Sequence, residues 1–156
     1  HTAKDPRQPE ISPNAITRRL VNVILKNKEK IIHNWADDVT TNKSTPEYHR
    51  FDRYKLFAIG DKIISQIILW LGGLGDTNRL KSFYIKLGKE RKREKFRLSE
   101  TLSALSLIRK HIWDFATLQG IWHKNIDLYL TFEMQRRMTF FFDLAVFYLT
   151  SGYEEK

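Results

Sequence analysis

In this 156-residue chain, apolar side chains recur three and four residues apart, and most of the few glycines and prolines fall between those stretches. Such spacing is the face of an α-helix, and punctuation outside the periodic segments marks helix ends. Alternating strand patterns with turn dipeptides do not occur in the sequence, nor does an internal repeat. The expected fold class is therefore all-α, an antiparallel array of about six helices that closes with a long one. One domain suits the length. It is expected over residues 14–156, behind a polar leader at 1–13 that carries three prolines.

Helix by helix, the pattern is specific. Asn14 to Lys26 places Ile16, Leu20, Val23 and Ile24 on one face, and Asn27 breaks it. Lys28 to Val39 carries Ile32, Trp35 and Val39. After a loop at 42–44, Thr45-Pro46 supplies a cap and a proline at the first helical position, where its missing N–H costs nothing. A short turn over Glu47 to Phe51 leads into Asp52–Leu71, with apolar residues on several sides (Leu56, Ile59, Ile63, Ile64, Ile67, Ile68, Leu71), as suits a central helix. Gly72-Gly73-Leu74-Gly75 stops it. Asp76 caps the next helix, Thr77 to Glu94, and Lys95–Leu98 is a connector. Ser99 is read as the cap of Glu100–Thr117, and Gly120 as its end. The last helix, Ile126 to Ser151, is rich in aromatic residues, and Gly152 is read as its stop. Being apolar nearly all round, it suits either a central core helix or a dimer contact. The residues expected to supply such packing or dimer contacts are Phe141, Leu144, Ala145, Phe147 and Tyr148.

Composition narrows the chemistry. With no cysteine, disulfides, thiolate metal sites and cysteine nucleophiles are excluded, which fits a reducing cytosol. Nothing approaches the ~20 consecutive apolar residues of a membrane span. No phosphate-cradling loop, nucleophile elbow or metal-binding helix motif occurs. His33 with Asp37, and His111 with Asp114, share helical faces, but two ligands fall short of a structural metal site. No metal is expected, and no catalytic centre.

Lysine and arginine outnumber acids 27 to 18, a net charge of +9. Seven of these bases lie between Lys86 and Arg97. Lys89, Arg91, Lys92, Arg93, Lys95 and Arg97 could form a polyanion patch. Yet on a helix they fan around the axis, with Glu90 and Glu94 between them, and no recognition-helix signature accompanies them. Nucleic acid is not the expected partner. Trp35, Trp70, Trp113 and Trp122 read as packing. His111, beside Trp113 on an apolar helix, could ligate haem, although a buried, hydrogen-bonded histidine is the plainer reading, so no cofactor is expected.

Several segments resemble the N-terminal sensory domain of RsbR-type (RsbRD) stressosome proteins, found also at the front of bacterial sensor histidine kinases. They are Lys30-Ile31-Ile32-His33-Asn34-Trp35, Leu87-Gly88-Lys89-Glu90-Arg91, Lys95 through Leu102, and Leu107 through Phe115. Phe141 through Tyr148, leading into Ser151-Gly152-Tyr153-Glu154-Glu155, looks more like the kinase branch. The resemblance covers about residues 15–155. It implies a globin-like helical fold without haem and a homodimer. It also implies a last helix that leads into an output module, so that an unidentified stimulus reaches a kinase or a stressosome regulator in the cytoplasm.

Overall fold

The computed structural model describes residues 13–119 and 128–156, so most of the leader, Gly120, Trp122 and the expected start of the last helix at Ile126 lie outside the described residues. Six α-helices and one 3-10 turn account for nearly all of what is described, with no strand among the described residues. They are α1 (Ala15–Lys26), α2 (Lys28–Val39), the 3-10 turn (Pro46–Arg50), α3 (Arg53–Leu71), α4 (Thr77–Arg93), α5 (Leu98–Leu118) and α6 (Leu128–Glu154). The protein is an all-α array with a long C-terminal helix.

Side-chain caps explain three of the starts. Asn14 accepts from the Thr17 N–H, Asp52 from those of Tyr54 and Lys55, and Asp76 from those of Asn78 and Arg79. Each satisfies orphan donors that a first turn leaves open. The end of α3 is equally local: Gly73 sits at φ 78, and the Leu74 N–H returns to the Leu69 carbonyl at 2.8 Å. The same closing pattern ends α4, with Phe96 N–H on the Arg91 carbonyl at 2.9 Å. There, however, Lys95 rather than glycine takes the left-handed position, at φ 66. A β-carbon is strained in that region, so this turn is held by what Phe96 packs against.

Two boundaries depart from the sequence reading. Helix α5 begins at Leu98 behind Arg97, which makes no side-chain capping bond, so Ser99 lies inside the first turn and caps nothing. Helix α6 does not stop at Gly152 but runs on to Glu154. Gly152 is buried where α6 crosses α4, facing Gly88. A β-carbon on Gly88 would overlap the Leu149 carbonyl oxygen, and one on Gly152 would overlap that of Ile85. The two backbones touch there because neither residue has a side chain. This crossing belongs to the most extensive helix pair in the fold.

Helix α6 also packs against α1, α3 and α5, while α2 lies across α3 and α5. Its inward side buries Met134, Met138, Phe141, Phe142, Leu144, Ala145 and Leu149. Helix α3 is contacted from α1, α2 and α6, which suits its broad apolar surface. Indole N–H groups pin the layers. Trp35 donates to the Ala104 carbonyl at 2.8 Å and Trp70 to the Arg137 carbonyl at 3.0 Å. Arg137 is fully buried, pairs with Glu133 at 3.2 Å, and donates to the Leu71 carbonyl at 3.2 Å, where the α3 dipole favours a cation. No described helix is long and apolar enough to cross a membrane.

Candidate functional site

At one end of the array the 3-10 turn, the end of α4, the start of α5 and the last turns of α6 converge on a buried polar junction. Its centre is Arg91, only 4% exposed. The guanidinium lies over the rings of Phe51 and Phe96, at 4.6 and 5.5 Å, and donates to Glu94 at 2.7 Å. The two rings meet edge-on, 5.7 Å between centroids, so the guanidinium covers the corner they form, and the carboxylate three residues on offsets its charge.

Beside it runs a chain of hydroxyls. Tyr153 donates to the Phe96 carbonyl at 3.1 Å, so Thr101, 2.8 Å away, donates to Tyr153. Thr101 in turn accepts a long bond from Tyr48 at 3.5 Å. Burial, only partly offset by Thr101 and Arg91, pushes the Tyr48 phenol up to about 12. Burial raises Tyr153 as well, again against Thr101 and Arg91. Both therefore remain neutral donors at any physiological pH, and the direction of the chain is fixed. Glu100 completes the junction. One of its oxygens accepts the Glu47 N–H at 2.9 Å, while the other is buried without a hydrogen-bond partner.

Behind the junction is a small cavity of about 20 Å³, lined by Trp35, Ile63, Leu105 and Leu149, with Tyr48, Arg91 and Thr101 at its polar end. That exceeds the roughly 10–15 Å³ a single water needs. Tyr153 and Leu149 lie one helical turn apart on α6, so the helix touches both the cavity and its polar wall.

Sequence-predicted residues fall out unevenly. Arg91 belongs to the interior, so it is withdrawn from the expected polyanion patch. Lys89 pairs with Glu155, and the Lys92 ammonium donates to the Glu155 carbonyl at 3.2 Å. Arg93, Lys95 and Arg97 are exposed. The basic run is thus divided between a core cation, ties to the C-terminal turn, and solvent. Phe141, Leu144 and Ala145 are fully buried within the chain and leave no surface for a second copy. Phe147 is 60% exposed and Tyr148 half-buried.

His111 is placed away from the cavity, across α5–α2, with its Nε2 2.7 Å from Asp38. Burial pushes the Asp38 carboxyl up, but bonds to Asn42 and His111, with the charges of His111 and Lys110, outweigh it and hold it below the usual 3.8. His33 and Asp37 share Arg53, whose guanidinium pairs with Asp37 and lies 3.4 Å from the His33 Nδ1. Asp114 pairs with Lys110 at 2.8 Å. Among the described residues no three potential metal ligands converge. Of the described tryptophans only Trp35 lines the cavity.

The junction itself was not visible in the pattern of charges. The signal that bears on it is local: Arg91 sits on the same turn as Leu87 and Gly88, the buried edge of α4, rather than with its exposed basic neighbours. Comparison of the chain with protein-family models, curated proteins and solved structures gave no match.

Proposed function

We propose that this chain is a non-catalytic input domain of a bacterial signal-transduction protein, foremost a sensor histidine kinase, working in the cytoplasm as a homodimer. An input domain of an RsbR-type stressosome regulator would use the same parts in the same way. One observation carries the reading: the last turns of α6 are tied to the interior junction, by Tyr153 to Thr101 and Phe96, and by Gly152 against Gly88.

A rigid helix 27 residues long extends about 40 Å at 1.5 Å per residue. Its C-terminal turn can move only if the junction repacks, because a close-packed crossing deforms in steps rather than continuously. A stimulus that favours one packing therefore shifts the position of the helix end, by as much as its affinities for the two packings differ. No group in the junction resembles a nucleophile held by a base. The hydroxyls bond to one another and to a carbonyl, and the arginine to a carboxylate.

Tyr153→Phe removes the ties to Thr101 and Phe96 while keeping the ring in place. In a protein that joins this domain to its kinase module, the substitution is expected to change basal autophosphorylation severalfold, with the fold intact by circular dichroism. An output identical to wild type would sink the proposal.

A further inference from the structure

The cavity behind Arg91 has an outer approach. Helices α3 and α4 rest on the rest of the array with little direct packing between them, and an open groove runs along their seam. Its floor is apolar, formed by Ala58 and Ile59 from α3 and by Phe83 and Leu87 from α4. The stretch of groove between Lys62, Phe83 and Lys86 holds about 180 Å³, and its outer end by Lys55 and Arg93 is wider, about 420 Å³. Ile59 and Leu87 also line the small cavity, and Arg91 lines both that cavity and the outer end of the groove. Groove and cavity are thus two sides of one wall, made of Ile59, Leu87 and Arg91.

The rim is basic. Lys55 and Lys62 line it from α3, and Lys86 and Arg93 from α4. With Arg91 that makes five cations, against two carboxylates, Glu90 and Glu94. Glu94 is committed to Arg91, and Glu90 lies 4.0 Å from Lys86. Lys55, Lys62 and Arg93 have no ion-pair partner among the described residues. An apolar floor under a cationic rim matches a molecule with an apolar chain and one negative head.

We infer that the α3–α4 groove is a binding site for a medium-chain alkyl carboxylate, with its head between Lys62 and Lys86 and its chain over Ile59 and Leu87 toward Arg91. The volume sets the length. The stretch at Lys62 and Lys86 is smaller than the ~300 Å³ at which drug-sized pockets begin, so a chain of about eight carbons fills it. A chain pressing on Leu87 and Arg91 pushes on the junction that holds Tyr153. The site therefore deepens the input-domain reading by giving it a stimulus, and on that reading alone rests any link to output.

Isothermal titration with sodium octanoate, below its micelle concentration, tests the inference on this chain alone. One saturable site is expected, with octylammonium and octan-1-ol each binding at least about tenfold more weakly. Lys62→Glu with Lys86→Glu, both on the exposed rim, should weaken octanoate by about tenfold while leaving the fold unaltered. Ile59→Trp, which fills the floor, should abolish binding. Non-saturating heats, equal affinity for octylammonium, or an unaffected charge-reversal variant would overturn the inference. So would retention on phosphatidylglycerol vesicles with no binding of free octanoate, since that pattern belongs to a membrane surface. The two readings fail separately: a groove that ignores octanoate leaves the Tyr153 experiment standing, and an output blind to Tyr153→Phe leaves the titration standing.

Discussion

Arg91 and Glu94 are unequal partners, because the guanidinium is buried and the carboxylate is 45% exposed. Removing the carboxylate strands a charge in the interior, whereas removing the guanidinium returns Glu94 to water. Breaking a buried pair from the exposed side is the costlier change. Glu94→Ala is accordingly expected to destabilise the fold by about 1–2 kcal/mol, discounted for the exposure of Glu94. Arg91→Met keeps an unbranched chain over Phe51 and Phe96, with sulfur against the rings, and should cost less. Urea midpoints of the two variants decide it, and the reverse order would mean that stacking outweighs the ion pair. At this scale the sequence was a poor guide. Seven bases between Lys86 and Arg97 read as one solvated run because spacing records charge, not which turn of α4 faces inward. Gly152 misled for a related reason. Glycine after an apolar helix signals a stop, yet here its missing side chain serves the contact with Gly88.

Between elements, legibility followed the caps. Helices α1 to α4 were placed to within a residue or so of their true starts and ends, since Asn14, Asn27, Asp52, Asp76 and Gly73 mark them chemically. Helix α5 started earlier than expected because Ser99, the capping type in the sequence, lies inside the first turn, and Arg97 before it makes no capping bond. Its first turn is fixed instead by tertiary contacts, Glu100 to Glu47 and Thr101 to Tyr153. Its far half is tied to α2 by His111 and Asp38, and this tie is pH-dependent with a definite sign. The Asp38 carboxyl is held below its ordinary value in the folded chain, so its contribution is fully present above the unfolded value, the usual 3.8. It is lost as pH falls through the lowered folded value. Asp38→Asn should therefore cost about 1 kcal/mol at neutral pH, and the gap to wild type should begin to narrow below about pH 4. Chemical denaturation from pH 3 to 7 measures it. A gap as wide at pH 3 as at pH 7 would show that the carboxylate charge is not what holds α2 to α5.

At the scale of the whole molecule, the excess of apolar surface on the last helix resolves into two faces. Phe141, Leu144 and Ala145 satisfy the core, and substituting any of them tests folding rather than association. The other face is left to solvent. Tyr129, Phe132, Arg136, Phe140, Asp143 and Phe147 follow one another at intervals of three and four residues, so they share one side of α6. Tyr129, Phe132 and Phe147 are 74%, 63% and 60% exposed, and the Arg136 guanidinium lies 5.2 Å from the Phe140 ring. Separate exposed apolar residues need no explanation, but a row of aromatic rings along one helix is the surface that homodimers bury. Phe132→Asp with Phe147→Asp should leave the thermal transition nearly unchanged, because neither ring is in the core. The double variant should also convert a dimer to a monomer in sedimentation equilibrium at tens of micromolar. Phe141→Asp should instead unfold the chain, since it places a charge where no water reaches. A wild-type protein already monomeric at that concentration would remove the homodimer from the proposed function. The Tyr153 junction would then have to act within a single chain, moving the end of α6 relative to α4 rather than relative to a second copy of itself.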